Sequence, residues 1–183
     1  MKYETSLTRL VGIRYPLIQA PMAGGPTTPE LVAAVSNAGG LGSFGAAYLA
    51  PGAIRTAIRA IRERTDRPFN MNLFAPLPEQ APPGTLARAQ ARLDAYREDL
   101  GIPSSAIPSG PFGPPFAEAI AVLVEERVPV FSFTFGLLPE NALQRIKACG
   151  ATVIGTATTV AEGVALEASG VDAVVAQGSE AGG

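Results

Sequence analysis

Short β-rich runs alternate with longer stretches of helical spacing, and this alternation constrains the fold more than any other feature of the chain. FNMNLF at 69–74 is typical of the runs, because its side chains alternate between two faces. Between the runs, apolar residues recur at helical spacing, as Ile54, Ile58 and Ile61 do. The pattern predicts successive βα units around a parallel sheet.

Six strands and the helices between them follow from this pattern. The strands are expected at 16–20, 41–44, 69–74, 129–134, 152–156 and 172–176. The helices are expected at 29–37, from about residue 51, and at 116–126, 140–148 and 159–168. Thr28 is a suitable N-cap for the first of these helices, Pro29 suits its first turn, and Gly39 follows its end.

The alternation breaks between residues 76 and 115, where nine of the 17 prolines lie. One amphipathic helix is expected there, with its apolar face formed by Leu86, Ala89, Leu93, Tyr96 and Leu100. This composition predicts a Pro-rich helical insertion at about 76–115 that runs over the body of a single domain spanning residues 1–183. It is either a solvated decoration or a lid.

Two α/β architectures fit these units, a (β/α)8 barrel and an open doubly wound sheet. Both place their sites at the carboxyl ends of the strands, so polar residues at those ends do not choose between them. The chain lacks the G-x-G-x-x-G and G-x-x-x-x-G-K-[ST] fingerprints, which weakens the nucleotide-binding open-sheet alternatives. A barrel of eight units takes about 250 residues, and six units are visible here.

Composition excludes several classes of protein. The net charge of -2 gives no basic surface for nucleic acid, and the arginines between 55 and 67 are expected on a solvated helix face. A single cysteine, Cys149, excludes an internal disulfide and fits a reducing compartment. No apolar run approaches the 18 or so residues of a membrane span, and no metal site is predicted. We therefore expect a soluble, cytoplasmic protein.

Polar residues near the strand ends are the candidate site. Asn70 and Asn72 share one face of a strand that should be buried, which is costly unless their hydrogen bonds are satisfied. VDAVVAQGSEAGG at 171–183 runs from a strand into a glycine-rich loop, the kind of loop that brings backbone N–H groups against a phosphate. The chain has no histidine, so the commonest general base is absent from these 183 residues.

Six segments in order resemble the nitronate monooxygenase family, formerly called 2-nitropropane dioxygenases. They are IQAPMAGG at 18–25, SNAGGLGSFGA at 36–46, FNMNLF at 69–74, FSFTFG at 131–136, IGTATT at 154–159 and AQGSEAGG at 176–183. The resemblance implies a TIM-type (β/α)8 barrel, truncated after about six strands, with FMN at the carboxyl edge of the strands. It also implies oxidation of alkyl nitronates with molecular oxygen.

The resemblance also implies which residues hold the cofactor. Pro21 and Met22 would lie against the flavin ring, and Asn72 and Gln177 would hydrogen-bond to it. The phosphate would sit against Gly182 and Gly183. Thr134 is either a contact of flavin or substrate or a strand threonine with a satisfied hydroxyl. Asn70 is expected to bond locally and Glu180 to be solvated, so both stay outside the predicted site.

In this family a histidine follows the AGG motif as catalytic base or substrate-orienting group. The catalytic base is therefore expected beyond Gly183, and no catalytic residue is predicted within this chain. We expect an incomplete, N-terminal portion of the enzyme that is inactive alone. The alternatives are a flavin-dependent enoyl reductase of the same superfamily and a non-catalytic truncated flavoprotein fragment. The sequence leaves the oligomeric state open.

Overall fold

The computed structural model of the protein describes residues 3–76, 84–104 and 113–181. Helices and strands alternate along most of this length, as the sequence pattern predicts. In chain order they are α1 (Ser6–Val11), α2 (Pro29–Ala38), β1 (Gly42–Gly45), α3 (Pro51–Arg62), β2 (Phe69–Phe74), α4 (Thr85–Leu100), α5 (Phe116–Glu125), β3 (Val130–Thr134), α6 (Glu140–Ala148), β4 (Thr152–Ala157), α7 (Val160–Ser169) and β5 (Ala173–Ala176).

The strands form one parallel sheet in the order β1-β2-β3-β4-β5. Each strand pairs with the next strand along the chain, whereas the strand order of a doubly wound sheet reverses at a switch point. The order is therefore that of consecutive strands in the wall of a TIM-type barrel. The predicted fold class is confirmed.

The first predicted strand, at 16–20, is reduced to a single bridge. Ile18 pairs with Leu41 in parallel, and the Leu41 N–H donates to the Leu17 carbonyl at 2.9 Å. The segment thus occupies the expected place beside β1, but it does not extend into a strand. Pro16 and Pro21 bracket it, and proline supplies no N–H to continue a ladder.

The helix-facing side of the sheet carries the main core. Phe69, Met71 and Leu73 of β2 are buried there among apolar residues of the helices, including Ile58 and Ile120. Each such side chain contributes about 1.5–3 kcal/mol when it is fully buried. The opposite side, which we call the inner face, therefore carries the alternate residues of each strand.

Glycine allows two helices to approach this sheet closely. A Cβ on Gly42 of β1 would lie 2.1 Å from the Val32 carbonyl oxygen of α2. A Cβ on Gly155 of β4 would lie 2.6 Å from the Leu166 side chain of α7. Both distances are too short for a real side chain, so these glycines set how near the helices pack.

A second apolar cluster closes the amino-terminal end of the inner face. It contains Val11 and Ile13, from the end of α1 and the residues after it, together with Leu41, Val130 and Ile154. The helix α1 was not predicted from sequence. It has only six residues, and Thr5 and Thr8 stabilise its start by reciprocal side-chain hydrogen bonds in a capping box.

The sequence predicted that the arginines of α3 form a solvated helix face, and the structure shows that they do more than this. Arg55, Arg59 and Arg62 converge on the carboxylate of Glu126, which directly follows α5, at 2.9, 2.9 and 3.3 Å. The Glu126 side chain is only 10% exposed, while the three arginines keep partial contact with solvent. These ion pairs tie α3 to the end of α5.

Contacts divide the chain into two compact units, one of Met1–Pro76 with Pro114–Gly183 and one of Leu77–Gly113. In the second unit, α4 buries none of its residues. Its Asp94 accepts hydrogen bonds from Arg97 at 2.8 Å, Ser104 at 2.9 Å and Gln90 at 3.1 Å. The bonds from Arg97 and Ser104 lower the pKa of Asp94. A role as decoration or lid stays a prediction.

Candidate functional site

Four buried polar side chains form a hydrogen-bonded network on the inner face. Asn70 Nδ2 donates to Ser43 Oγ at 3.2 Å and to Ser132 Oγ at 2.8 Å, and Asn72 Nδ2 donates to the same Ser132 oxygen at 2.8 Å. The network joins β1, β2 and β3, whose register places Ser43 opposite Asn70 and Asn72 opposite Ser132. Asn72 is 4% exposed, as the prediction of a buried polar residue requires.

Asn70 takes a different role from the one expected. Its partners Ser43 and Ser132 lie 27 and 62 residues away, so it is not a local hydrogen-bonder at a strand start. The parallel register brings these partners to it, and sequence spacing alone does not show that. Asn70 therefore belongs to the same inner-face network as Asn72.

Two buried oxygen atoms on this face have no hydrogen-bond partner among the described residues. They are Asn70 Oδ1 and Thr134 Oγ1. A buried polar atom without a partner costs about 1–3 kcal/mol, so native proteins rarely leave one unexplained. The interpretation of Thr134 as a satisfied strand threonine is therefore wrong. Both oxygens therefore keep an unused hydrogen-bonding capacity in the described structure.

The segment with Pro21 and Met22 is held against the carboxyl end of β1. The Thr27 hydroxyl donates to the Met22 carbonyl at 2.9 Å and accepts from the Gly45 N–H at 3.0 Å. A Cβ on Gly45 would lie 2.5 Å from Ala23 N, so glycine is required for this approach. Met22 as a whole residue is 43% exposed. The segment is thus fixed through its backbone.

This segment and Asn72 meet at neighbouring strand ends. Gly45, against which the Met22 backbone packs, pairs with Asn72 across β1 and β2. The Ala46 N–H then donates to the Asn72 carbonyl at 2.9 Å. Three of the predicted site residues, Pro21, Met22 and Asn72, are therefore brought to one part of the sheet edge.

Gln177 follows β5 and lies at the far side of the described sheet, with β3 and β4 between it and Asn72. Its N–H donates to the Ala157 carbonyl at 2.9 Å, which extends the β4–β5 ladder by one residue. Glu180 is exposed, as expected. Gly182 and Gly183 lie outside the described residues.

An exposed aromatic group that the sequence analysis did not single out lies at the same edge. We call Tyr48, Phe74 and Phe135 the aromatic triad. The Phe74 ring packs edge-on against Tyr48, with centroids 5.5 Å apart, and against Phe135, with centroids 4.8 Å apart. Each residue ends or follows a different strand of β1–β3, so only the parallel pairing brings the three rings together.

Phe135 has a left-handed backbone, with φ of +69°. Such a conformation is uncommon outside glycine and is strained for a bulky side chain. Gly136 follows with φ of +124°, which glycine adopts freely. The FG pair of the FSFTFG segment was the available sequence signal, because a glycine directly after a strand indicates a sharp change of chain direction.

A carboxylate with a shifted pKa just after the carboxyl end of β4 is structural. Glu162 accepts hydrogen bonds from the backbone N–H groups of Thr158 and Thr159 and from the Thr158 hydroxyl, and these bonds lower its pKa. It thereby caps the start of α7 and is not suited to proton transfer. The described ranges contain no group of three His, Cys, Asp or Glu side chains able to bind a metal ion. None of their helices is long and apolar enough to cross a membrane.

Comparisons with known proteins agree with this arrangement. A probable nitronate monooxygenase of Staphylococcus saprophyticus is 43% identical over 183 residues, which are all of this chain and 51% of that relative. A probable nitronate monooxygenase of Staphylococcus haemolyticus is 42% identical over the same length, again 51% of the relative. The chain therefore spans about half the length of the curated relatives it matches.

Solved structures show the same relationship. The chain is similar to the nitroalkane oxidase from Streptomyces ansochromogenes, with a TM-score of 0.81, 38% identity, and coverage of 98% of this chain and 50% of that one. It is also similar to FabK from Thermotoga maritima, with a TM-score of 0.72, 30% identity, and coverage of 98% and 46%. The family model described as nitronate monooxygenase matches residues 4–183. The chain therefore belongs to the nitronate monooxygenase family.

Proposed function

We propose that the full-length protein carrying this chain oxidises alkyl nitronates with molecular oxygen, using FMN held at the carboxyl edge of the sheet. The observation that carries the proposal is the pair of buried, unpartnered oxygens on the inner face, Asn70 Oδ1 and Thr134 Oγ1. They lie beside the Asn72 network, in the region where family resemblance puts the cofactor. A cytoplasmic location is part of the proposal and is supported by the lone cysteine, Cys149.

The residues present fit a flavin. Its ring system is flat and apolar on its faces and carries hydrogen-bond donors and acceptors along its edges. The backbone at Pro21 and Met22, pinned by Thr27, offers a fixed surface for such a ring. Asn72 and Gln177 would hydrogen-bond to its edge, and the glycines at 182–183 would receive the phosphate.

The orientation of the Asn72 amide sharpens its role. Because its Nδ2 donates to Ser132, its Oδ1 is the atom left to face a ligand. No hydrogen bond to this oxygen occurs within the described part of the chain, and the oxygen is not among the buried unpartnered atoms. Asn72 is therefore set to accept a hydrogen bond, as from an N–H group at the edge of a flavin.

The residues of this chain would bind and position, and would supply no proton transfer. The chemistry that FMN would supply when bound is the transfer of electrons from the substrate to oxygen. An alkyl nitronate has already lost its α-proton, so the described residues need not supply a base to start its oxidation. The histidine expected beyond Gly183 remains part of the proposal for the longer protein.

The experiment is oxygen consumption by the full-length, flavin-loaded protein with ethyl and propyl nitronates. We expect turnover that requires FMN. Replacement of Asn72 by Ala should weaken FMN binding about 5- to 150-fold, because a hydrogen bond in a buried site is lost. Asn37→Ala is the matched control, since Asn37 is exposed and bonds to Arg64 and Thr65. Flavin affinity unchanged in the Asn72 variant would make the network purely structural.

A flavin-dependent enoyl reductase of the same superfamily, the alternative that the sequence motifs leave open, is the second candidate. The chain is about as well covered by FabK, at 98%, as by the nitroalkane oxidase. In a reductase, NADH or NADPH should reduce the bound flavin in the absence of oxygen. In a nitronate monooxygenase they should not. Higher identity to the probable nitronate monooxygenases, at 43%, favours oxidation. Rapid bleaching of the flavin by NADH with no oxygen uptake on nitronates would transfer the assignment to the reductase.

A further inference from the structure

We propose that Phe135 determines substrate specificity by packing its ring against the hydrocarbon part of the nitronate. This inference rests on the proposed function, and it adds which residue recognises the alkyl chain. It starts from the aromatic triad, which lies at the same strand ends as the unpartnered Thr134 hydroxyl.

The Phe135 ring packs against the ring of Phe74, which itself packs against Tyr48. Phe74 pairs with Thr134 across β2 and β3. Phe74 is therefore a direct neighbour of the residue that precedes Phe135. Phe74 packs edge-on against Phe135 at 4.8 Å between centroids and against Tyr48 at 5.5 Å. Edge-to-face pairs of this kind are favourable, so the ring is held as well as exposed.

The backbone conformation of Phe135 indicates that this position requires an aromatic side chain. A left-handed conformation at a bulky residue costs about 1–3 kcal/mol, and glycine would adopt it without that cost. Packing offers little return, because Phe135 is 63% exposed. Strained backbone clusters at active sites and ligand clamps, so a strained and exposed aromatic residue at this edge favours a role in binding.

The chemistry beside the ring matches an alkyl nitronate. Such a substrate has a planar anionic head with two oxygens on nitrogen and an apolar tail. The Thr134 hydroxyl is buried and has no hydrogen-bond partner among the described residues, so its donor is unused and suits such an oxygen. The adjacent Phe135 ring, with Tyr48 and Phe74, offers an apolar surface. The Thr134 hydroxyl would therefore bind the anionic head of the nitronate, and the Phe135 ring would bind its apolar tail.

The test measures how binding depends on tail length in the full-length, flavin-loaded protein. Straight-chain carboxylates from acetate to hexanoate serve as unreactive planar anions, and calorimetry gives their Kd. A methylene group buried against the wall should tighten binding by up to about fourfold. KM for ethyl to hexyl nitronates should fall with the same trend.

Three variants isolate the ring. Phe135→Ala should flatten the dependence on tail length for both ligand series, and Phe135→Leu should keep part of it. Phe135→Gly should also flatten it while raising the unfolding midpoint, because the backbone strain is relieved. The control is Tyr3→Ala, which removes an exposed ring that packs edge-on against Tyr15 in the N-terminal segment.

A length dependence that persists in both Phe135→Ala and Phe135→Gly overturns the inference. So does a large fall in the unfolding midpoint of Phe135→Gly, which would make the ring a structural contact. Failure of the proposed function looks different, because the wild-type protein would then consume no oxygen with any nitronate. The carboxylate series still decides the role of Phe135 in that case.

Discussion

Two threonine hydroxyls near the sheet edge are both shielded from solvent but differ in their bonding. Thr27 donates to the Met22 carbonyl and accepts from the Gly45 N–H, so its hydroxyl is fully used. The Thr134 hydroxyl is buried and has no partner among the described residues. The same chemical change at the two positions should therefore have opposite effects on the flavin-free protein.

We expect Thr134→Val to leave the stability of the flavin-free protein unchanged or to raise it by about 1 kcal/mol, since an unpaired buried hydroxyl is removed. Thr27→Val should lower it by about 1–3 kcal/mol, because a carbonyl and an N–H lose their partner. Urea unfolding of both variants measures the difference. Equal destabilisation would mean that the Thr134 hydroxyl has a partner in solution.

The sequence predicted site residues where a single strand or loop defines them, and missed those that depend on pairing between strands. Asn72 was predicted as a buried polar residue, and its burial is confirmed. The roles of Asn70 and Ser132 depend on a register between residues 62 positions apart, which no local pattern contains. Phe135 was missed for the same reason, since its neighbour Phe74 precedes the insertion in the chain.

At the scale of elements, Glu126 joins α5 to α3 through Arg55, Arg59 and Arg62. Burial raises the pKa of Glu126, but hydrogen bonds and charges from Arg59 and Arg55 outweigh this effect and hold the pKa below its ordinary value. A carboxyl group with a lowered pKa in the folded state stabilises the protein above its unfolded pKa. That stability is lost as the pH falls through the folded pKa.

Glu126→Gln should therefore cost about 1–3 kcal/mol at pH 7, a discounted value because the arginines are partly solvated. As the pH falls below 4.5, the ordinary pKa of a glutamate, the wild-type protein should lose more stability than the variant does. Glu125→Gln is the control, since the Glu125 side chain is 60% exposed and its ion pair within the described residues is with Arg55 alone. Thermal unfolding across this pH range tests it, and parallel pH profiles would contradict the assignment.

The contact between β1 and the Met22 segment depends on Gly45 having no side chain. Gly45→Ala places a Cβ 2.5 Å from the backbone of Met22 and Ala23, so that segment must move. We expect a loss of about 1–3 kcal/mol in stability and at least about tenfold weaker FMN binding in the full-length protein.

Gly52→Ala is the matched control, because a Cβ at Gly52 in α3 meets no atom within 4 Å. Alanine there should be neutral or stabilising by up to about 1 kcal/mol, since it favours the helix. Fluorescence titration with FMN compares the two variants. Equal flavin affinity for them would show that the Met22 segment does not contact the cofactor.

The elements were predicted well because periodicity is local. Five strands and the helices between them lie within one or two residues of their predicted bounds. The segment at 16–20 was predicted too long, because an apolar run flanked by prolines has the composition of a strand without the N–H groups to continue one. The helix α1 was missed because six residues are too few for a clear period.

At the scale of the whole molecule, apolar side chains are exposed on the last βα unit. Val160 and Val164 lie one turn apart on α7, with 86% and 60% of each residue exposed, and Val174 and Val175 of β5 are also exposed. Within the described sheet β5 pairs on one side only. An open strand and an adjoining apolar surface together favour association.

A polypeptide of these 183 residues alone should therefore self-associate at micromolar concentration. Val164→Lys should shift the molecules toward monomer in analytical ultracentrifugation, since it places a charge on the exposed surface. Leu17→Lys is the control, because Leu17 is 68% exposed in the segment beside β1, at the other end of the strand order from β5. A monomeric wild-type polypeptide would show that this surface is too small to drive association.

The cluster beneath the inner face has a consequence for folding during synthesis. Every strand pairs with its predecessor, so β1 to β4 can assemble in the order in which they leave the ribosome. Val11 and Ile13 come first in the chain, yet they pack against Val130 and Ile154, which are made last in the cluster. We expect the N-terminal segment to stay undocked until about residue 154 has emerged. A nascent chain arrested before that point should then be cleaved by protease near residue 11, and a longer one should resist.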